Sequence, residues 1–485
     1  MRKRFNYFSI VNNFNFLFFV ICIFFYIKYK FLDPIEINKF IDYKTFLYGA
    51  ALSIESMFFN QFLNKKFNPF IFILIASTFV FYQLRILTLS YFNYSSVITR
   101  NSSEVLLNET LLFIIGINFF IFLGIYLSTK YFSCREIKFL NKNNFAYERI
   151  GNYLFILILL TVFAGFFFYK LDNKFILYPF LRFFNPIYFI FAGFSCIAFY
   201  KKINKNKTII KYNIFFALII IVSLFNSLLL TLHGSRAGIF SLFEFLLIIY
   251  LVYDQKDEFK LIHILYWILS IALLSFFFIL ATKIRIKSYG FNFVEIKNFE
   301  FYCEIFKNSQ NTVKEYFAMV ADRIGYLDYA TDLISNKKKY ELIFNFKFYL
   351  KSIIDNLTPG FDIYNIPQIS QSIQFIYYNL GYPSKSFLAV TTYHTDELTF
   401  YGEIFNLTGY YSFIVAFLVG VFFQYLYNCT HFSRENLSNF IAKVFLLYTF
   451  YLLLASFGLD SFIYQTTYIA LVFFIFILFM TKRDA

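Results

Sequence analysis

Long apolar runs follow one another along most of this chain, separated by short polar segments. Each has close to the 20 residues or so that a helix needs to cross a bilayer. Twelve such runs lie at 9–27, 45–63, 68–92, 106–127, 150–169, 183–200, 211–232, 238–254, 261–282, 408–427, 438–457 and 462–480. The pattern predicts an all-α integral membrane protein with about 12 transmembrane helices.

One long polar region interrupts this pattern. We therefore divide the chain into transmembrane helices 1–9 (residues 1–282), a large loop (283–407) and transmembrane helices 10–12 (408–485). Short amphipathic helices are expected in the loop, because apolar residues recur there at helical spacing at Val313, Phe317, Val320, Ile324 and Leu327. A second stretch, 342–357, is apolar but too short and too charged to span, so a helix on the membrane surface is expected.

The distribution of basic residues predicts the orientation. With both termini in the cytoplasm, the inside segments hold 21 Lys and Arg residues and the short outside segments hold ten. This imbalance favours cytoplasmic termini and an extracytoplasmic long loop. The formal charge of +15 is dispersed among the apolar runs rather than gathered on one face, so nucleic acid is not an expected partner.

Composition and missing motifs exclude several classes of protein. With 59% hydrophobic and 15% charged residues, the chain is not a soluble enzyme. It has no GxxxxGK[ST], no GxGxxG after a strand, no HExxH, no CxxC and no DxD, so neither a cofactor nor a metal is expected. A phosphate group bound by this chain therefore has to be neutralised by side chains.

Arginines are the candidates for binding such a phosphate, because their planar fork donates two parallel hydrogen bonds. The candidates are Arg236, in the turn Gly234-Ser235-Arg236, together with Arg323, Arg85 and Arg285. Arg285 is the weakest, since a basic residue just outside a span is usually a solvated anchor. Ionisable groups within spans are costly and favour function, but Arg85 has an alternative role, pairing with Glu55 or Glu109 to hold the bundle together.

Candidate proton acceptors occur in and at the end of the loop. His394, Asp396 and Glu403 lie in a polar stretch that runs into the tenth span, and any of the three can act as a general base on a sugar hydroxyl. Asp328, farther back in the loop, is a fourth candidate. The plainer interpretation of His394 is a solvated loop histidine.

Taken in order, several short motifs resemble the O-antigen polymerases of the Wzy type, which join oligosaccharide repeat units. The motifs are Gly234-Ser235-Arg236, Asp322-Arg323-Ile324 followed by Asp328, and Gly402-Glu403-Ile404-Phe405-Asn406 leading into a span. The resemblance implies a metal-independent glycosyltransferase of the GT-C kind in a bacterial inner membrane. It also implies a polyprenyl-pyrophosphate-linked oligosaccharide as substrate, at the periplasmic face, and a chain-length regulator as a partner.

In that chemistry, Arg236 and Arg323, with Arg85, would stabilise the departing pyrophosphate, and Glu403 or His394 would take the acceptor proton. An O-antigen ligase, which transfers finished glycan to a lipid A core, is an alternative with the same plan. A transporter of lipid-linked sugar is a third reading, but it predicts two similar halves and charges near the midplane.

Overall fold

A computed structural model describes nine segments of the chain. They are residues 5–32, 41–63, 67–92, 107–132, 326–335, 346–357, 399–431, 437–455 and 459–480, with scattered positions between 159 and 259 and Lys337. This part of the chain is almost entirely helical. Two short strands, β1 (Phe5–Asn6) and β2 (Glu258–Phe259), pair antiparallel.

Eleven α-helices are numbered here in chain order over the described residues. They are α1 (Tyr7–Ile27), α2 (Tyr43–Leu63), α3 (Pro69–Thr78), α4 (Leu84–Phe92), α5 (Leu107–Tyr131), α6 (Tyr326–Ser335), α7 (Phe346–Leu357), α8 (Phe400–Thr408), α9 (Ser412–His431), α10 (Leu437–Ala455) and α11 (Leu459–Met480). A π-helical segment, Lys28–Leu32, continues α1, and a second, Phe79–Gln83, joins α3 to α4. A 3₁₀ turn, Gly409–Tyr411, joins α8 to α9.

Five helical stretches of the described residues are long and apolar enough to cross a membrane. They are Val11–Leu32, Pro69–Ser90, Leu107–Tyr131, Phe400–Thr430 and Ser438–Ala455. The seven predicted runs that fall on described segments are all helical there, which confirms a helical protein with apolar helices of membrane-spanning length. Of the runs predicted at 150–169, 183–200, 211–232, 238–254 and 261–282, the structure describes at most scattered positions, so the number twelve stays a prediction.

Helices α5 and α9 form a closely packed parallel pair. Gly116, in the first half of α5, faces Phe413 at the start of α9, and Asn428 donates a hydrogen bond to the carbonyl of Ser128 near the ends of both helices. Between these points a Cβ on Gly124 or on Gly420 would overlap the backbone of the opposite helix. Glycine is therefore required here by the close approach of two backbones.

Helix α8 runs in the opposite direction to α9, although the two are joined by only three residues. The Tyr401 hydroxyl donates to Asn118 of α5, and Phe413 packs against Gly116, two residues away on the same helix. A continuous helix would separate residues 401 and 413 by about 18 Å. The chain therefore reverses at the turn beginning with Gly409, whose φ of 58° is unfavourable for residues with a Cβ.

This reversal makes α8 a short helix inserted among the longer ones. Asn118 lies eleven residues from the first residue of α5, which is about 16 Å along its axis. The end of the predicted 283–407 loop thus reaches about halfway along a membrane-spanning helix before turning back. The boundary predicted at 407/408 falls at the end of α8, and α9 begins four residues later at Ser412.

The long loop contributes two more helices. Helix α6 packs against α5, α8 and the π-helical segment Phe79–Gln83, and α7 packs against α11. The second amphipathic stretch predicted at 342–357 is confirmed as a helix that ends at Leu357, and Phe346 at its start is 70% exposed. Its position on a membrane surface stays a prediction. Of the five apolar residues that predicted the first amphipathic helix of the loop, only Leu327 lies within the described residues, and it is fully buried in α6.

The glycine contact between α5 and α9 gives a first prediction. Gly420→Leu should destabilise the protein by about 3 kcal/mol or more, because the new side chain meets backbone, which cannot move aside as a side chain can. The free energy of unfolding in detergent micelles is the measurement. Leu418→Phe on the exposed face of the same helix is the matched control, and it should change that energy by less than about 0.5 kcal/mol. Equal effects of the two substitutions would contradict the packing described.

Candidate functional site

A buried ion pair joins the long loop to the membrane-spanning bundle. Arg85 Nε donates to Asp328 Oδ1 at 3.1 Å, and Arg85 Nη2 donates to Asp328 Oδ2 at 2.6 Å. Each side chain is only 1% exposed. The two nearly parallel hydrogen bonds are the bidentate geometry in which a guanidinium binds a carboxylate most specifically.

This pairing corrects the expectation for Arg85. Its partner among the described residues is Asp328 of the loop, rather than Glu55 or Glu109 of the neighbouring spans. Glu109 is exposed at the start of α5, and Glu55 makes no ion pair with Arg85. Arg85 therefore does pair with a carboxylate, as the structural alternative predicted. That carboxylate comes from the long loop and not from a neighbouring span.

Both predicted carboxylates are in the first turn of a short inserted helix. Asp328 lies in the first turn of α6, and Glu403 lies in the first turn of α8. Helix N-termini carry partial positive charge from their unsatisfied N–H groups, so each carboxylate is stabilised by its own helix. Thr399 completes the start of α8, because its hydroxyl accepts a hydrogen bond from Gly402 N at 3.2 Å.

Helices α6 and α8 touch without any space for a side chain between them. A Cβ on Gly402 would overlap the side chain of Leu333. Asn406 Nδ2 donates to the carbonyl of Leu333 and to that of Gly402, both at 2.9 Å. Asp328 and Glu403 are therefore carried on two helices that hold each other in place.

Glu403 connects this helix pair to α11. It is fully buried, and its Oε2 accepts a hydrogen bond from the backbone N–H of Leu459, the first residue of α11. A carboxylate in this position caps α11 in the way that an N-cap side chain does. The sequence placed Glu403 in a polar stretch ahead of the tenth span, whereas the structure places it, fully buried, in the first turn of α8.

A second polar group lies beneath the inserted helices. Tyr401 donates through its hydroxyl to Asn118 Oδ1 at 2.6 Å, and Asn118 Nδ2 donates to Thr78 at 3.1 Å. The ring of Tyr82 packs edge-on against that of Tyr401, with centroids 5.1 Å apart. Glu55 lies beside Asn118, but no described group makes a well-formed hydrogen bond to either of its carboxylate oxygens.

The remaining predicted site residues, Arg236, Arg323, Arg285 and His394, lie outside the described residues. Another acidic residue of a predicted span, Glu244 in the 238–254 run, is half-buried and accepts a hydrogen bond from the Tyr451 hydroxyl at 2.9 Å. The structure thus brings together Arg85, Asp328 and the helix that carries Glu403.

Sequence reasoning missed the neutral members of this site. Tyr82, Asn118, Tyr401 and Asn406 received no role, because uncharged polar residues within apolar runs are common and carry no periodic signal. One signal was present at α8: Thr399 provides an N-cap and Gly409 a C-terminal break, with the nine helical residues of α8 between them. That pattern predicts a short helix with Glu403 in its first turn.

Chemically, the arrangement offers a buried cation paired with one carboxylate, and a second buried carboxylate on the neighbouring helix α8. Among the described residues, no group of three or more His, Cys, Asp or Glu side chains is arranged to hold a metal ion. An anion that reaches Arg85 would therefore be bound by the guanidinium and by neighbouring hydrogen-bond donors.

Comparison with protein-family models, with curated proteins and with solved structures finds no match for this chain.

The ion pair gives a second prediction. Arg85→Ala or Asp328→Ala should each destabilise the protein by about 3–5 kcal/mol, because either change leaves one buried charge without its partner. The double variant Arg85→Met/Asp328→Leu should recover most of that loss, since no charge remains to be desolvated. The free energy of unfolding in detergent measures all three. Additive losses in the double variant would show that the two side chains do not act as a pair.

Proposed function

We propose that this protein polymerises polyprenyl-pyrophosphate-linked oligosaccharide repeat units into O-antigen or a related surface polysaccharide. In this proposal it is a GT-C-like glycosyltransferase with about twelve spans and cytoplasmic termini, and it acts at the periplasmic face of the bacterial inner membrane. It needs neither a nucleotide nor a metal, because the energy for transfer is already present in the lipid-linked donor.

The observation that supports the proposal most directly is the Arg85–Asp328 contact. Arg85 lies near the end of a membrane-spanning stretch, and Asp328 lies in the long loop, so the loop folds onto the bundle at a buried cation. A lipid-linked sugar has its tail in the bilayer, its glycan in water and its pyrophosphate between them. A cation covered by loop helices at the end of a span is at the depth where such a pyrophosphate would lie.

The packing of α5 and α9 supports the predicted topology. The two helices run parallel, so the chain between them has to cross the membrane an odd number of times if both span it. Five predicted runs lie between them, at 150–169, 183–200, 211–232, 238–254 and 261–282. Five is an odd number, so it agrees with the proposed topology. In that topology the long loop and the end of the Pro69–Ser90 span that carries Arg85 are both on the periplasmic side.

The proposed reaction is a glycosyl transfer. A hydroxyl oxygen of the acceptor repeat unit bonds to the anomeric carbon of the growing glycan, and the bond from that carbon to the pyrophosphate oxygen breaks. The polyprenyl pyrophosphate leaves with the bonding electron pair, and its charge is stabilised by Arg236, Arg323 and Arg85. The acceptor proton passes to Glu403 or His394.

Glu403 fits a proton acceptor that is fixed in place before substrate arrives. Its bond to Leu459 N occupies one carboxylate oxygen and orients the group, as supporting hydrogen bonds do in preorganised sites. The acceptor hydroxyl can approach only if the helices covering Glu403 move. The proposed polymerase therefore has to open between α6 and α8 during its cycle.

A gene-deletion strain tests the function. We expect lipopolysaccharide that carries a single repeat unit, because export and ligation continue while polymerisation stops, and the wild-type chain should restore the ladder. Gel electrophoresis of the lipopolysaccharide is the measurement. A core without any repeat unit, together with accumulated lipid-linked polymer, would identify a ligase instead. Loss of both polymer and single units at the periplasmic face would identify an exporter.

Substitutions of Glu403 separate its two roles in the same strain. Glu403→Gln keeps an oxygen that can accept from Leu459 N but removes basicity, so the protein should remain folded while the ladder falls to single units. Glu403→Ala should also lower the amount of folded protein in the membrane, because α11 loses its cap. Membrane yield and ladder length are measured together. Normal ladders from Glu403→Gln, with their loss from His394→Ala, would assign the base to His394.

A further inference from the structure

Tyr82 is a buried hydrogen-bonding group that the described fold leaves unused. Its side chain is fully buried, and no described residue accepts or donates a hydrogen bond at its hydroxyl. Burying a hydroxyl without a partner costs about 1–3 kcal/mol. Such a group therefore calls for an explanation beyond packing.

Tyr82 and Arg85 face the same inserted helices of the loop. They are three residues apart, a spacing that places side chains on one side of a helix. Tyr82 contacts Tyr401 of α8, and Arg85 binds Asp328 of α6. Tyr82 lies within the π-helical segment Phe79–Gln83, which ends two residues before Arg85, and π-helical insertions are frequent at functional sites.

We propose that Arg85 and Tyr82 form a subsite for the pyrophosphate group of a lipid-linked donor, and that Asp328 is the exchangeable counter-ion that occupies Arg85 until the donor arrives. This inference rests on the proposed function. It adds two points: Asp328 occupies Arg85 before the donor binds, and the Tyr82 hydroxyl donates a hydrogen bond to the phosphate. The arginine fork that now holds two carboxylate oxygens would hold two phosphate oxygens.

Exchange follows from charge. A pyrophosphate at Arg85 would lie beside the Asp328 carboxylate, and like charges in a poorly hydrated site repel strongly. Asp328 therefore has to leave the guanidinium as the phosphate binds. The incoming anion gains the Tyr82 hydroxyl as a second donor, which Asp328 does not use, so a phosphate has a partner that the internal carboxylate lacks.

Departure of Asp328 would loosen the cover over Glu403. The described part of helix α6, Tyr326–Ser335, has ten residues, and Asp328 is in its first turn. Its contacts with α8 run through Leu333, which packs on Gly402 and accepts from Asn406. When α6 shifts, Leu333 leaves Gly402, and the helix that carries Glu403 becomes accessible to an acceptor. Binding of the donor at Arg85 would therefore also expose Glu403, the proposed base.

Binding of three probes to the purified full-length protein in lipid nanodiscs tests the subsite. The probes are polyprenyl pyrophosphate, polyprenyl monophosphate and inorganic pyrophosphate, and Kd is measured for each. We expect tight binding of the polyprenyl pyrophosphate, weaker binding of the monophosphate, and weak binding of inorganic pyrophosphate that shares the same residues. Tight binding of inorganic pyrophosphate alone would identify a site for a free anion and overturn the assignment to a lipid-linked donor.

Three variants examine the residues. Asp328→Asn keeps the size of the side chain but removes the competing charge, so it should tighten polyprenyl pyrophosphate binding about tenfold. Tyr82→Phe removes only the hydroxyl and should weaken binding about tenfold while leaving the thermal stability unchanged or higher. Arg85→Gln/Asp328→Asn replaces the ion pair by two amides of similar size, and should remain folded but lose binding. Tyr131→Phe, which removes the same hydroxyl from an exposed tyrosine at the far end of α5, is the control and should bind normally.

Hydrogen exchange detects the movement of α6. Amides of residues 326–335 should exchange about tenfold faster when polyprenyl pyrophosphate is bound to the wild-type protein, and should exchange fast with or without it in Asp328→Asn. Slower or unchanged exchange on binding would show that Asp328 stays on Arg85 and would overturn the proposal. Tight binding that none of the variants alters would overturn the subsite but leave the polymerase function standing, whereas absence of binding by the wild-type protein would overturn both.

Discussion

The burial of Arg85 is the constraint on which the rest of the described site depends. A guanidinium that is 1% exposed, within a helix apolar enough to cross a membrane, is stable only with a carboxylate bound to it. Asp328 fulfils that requirement from a position 243 residues later in the chain. As a result, helix α6 has to lie against α4, which carries Arg85. Leu333, at the other end of α6, then fixes the position of α8 through its contacts with Gly402 and Asn406.

Inserting α6 and α8 among long helices creates backbone ends at a depth where water is scarce, and these ends have to be satisfied by protein groups. Each helix begins with its own acidic residue, which offsets the positive N-terminal end. Thr399 binds Gly402 N, and Gly409 permits the reversal into α9. The polar atoms at the base of the hairpin are satisfied in the same way, by the bonds among Tyr401, Asn118 and Thr78.

Hydropathy predicted every long helix of the described segments, because a bilayer-spanning run is a local property of about 20 consecutive residues. The cost of a charge in such a run also identified Arg85 as important, again from local sequence. Its partner could not be predicted, since Glu55 and Glu109 were nearer in sequence and no periodicity links residues 85 and 328. Helix α8 was interpreted as loop for a related reason: its nine residues are too few for a hydropathy window, and Glu403 and Asn406 lower the average further.

Asp328 and Glu403, the two carboxylates of the proposed catalytic centre, also hold the fold together. The two roles are compatible. A buried carboxylate is retained only if it is paired, so Asp328 and Glu403 are structural for as long as the site is closed. Their partners differ in kind. Glu403 accepts from the backbone N–H of Leu459, which is fixed by α11, whereas Asp328 binds a side chain whose fork suits phosphate equally well. In the proposed site, Glu403 is therefore held in position throughout, and Asp328 is the group that we propose an incoming anion replaces.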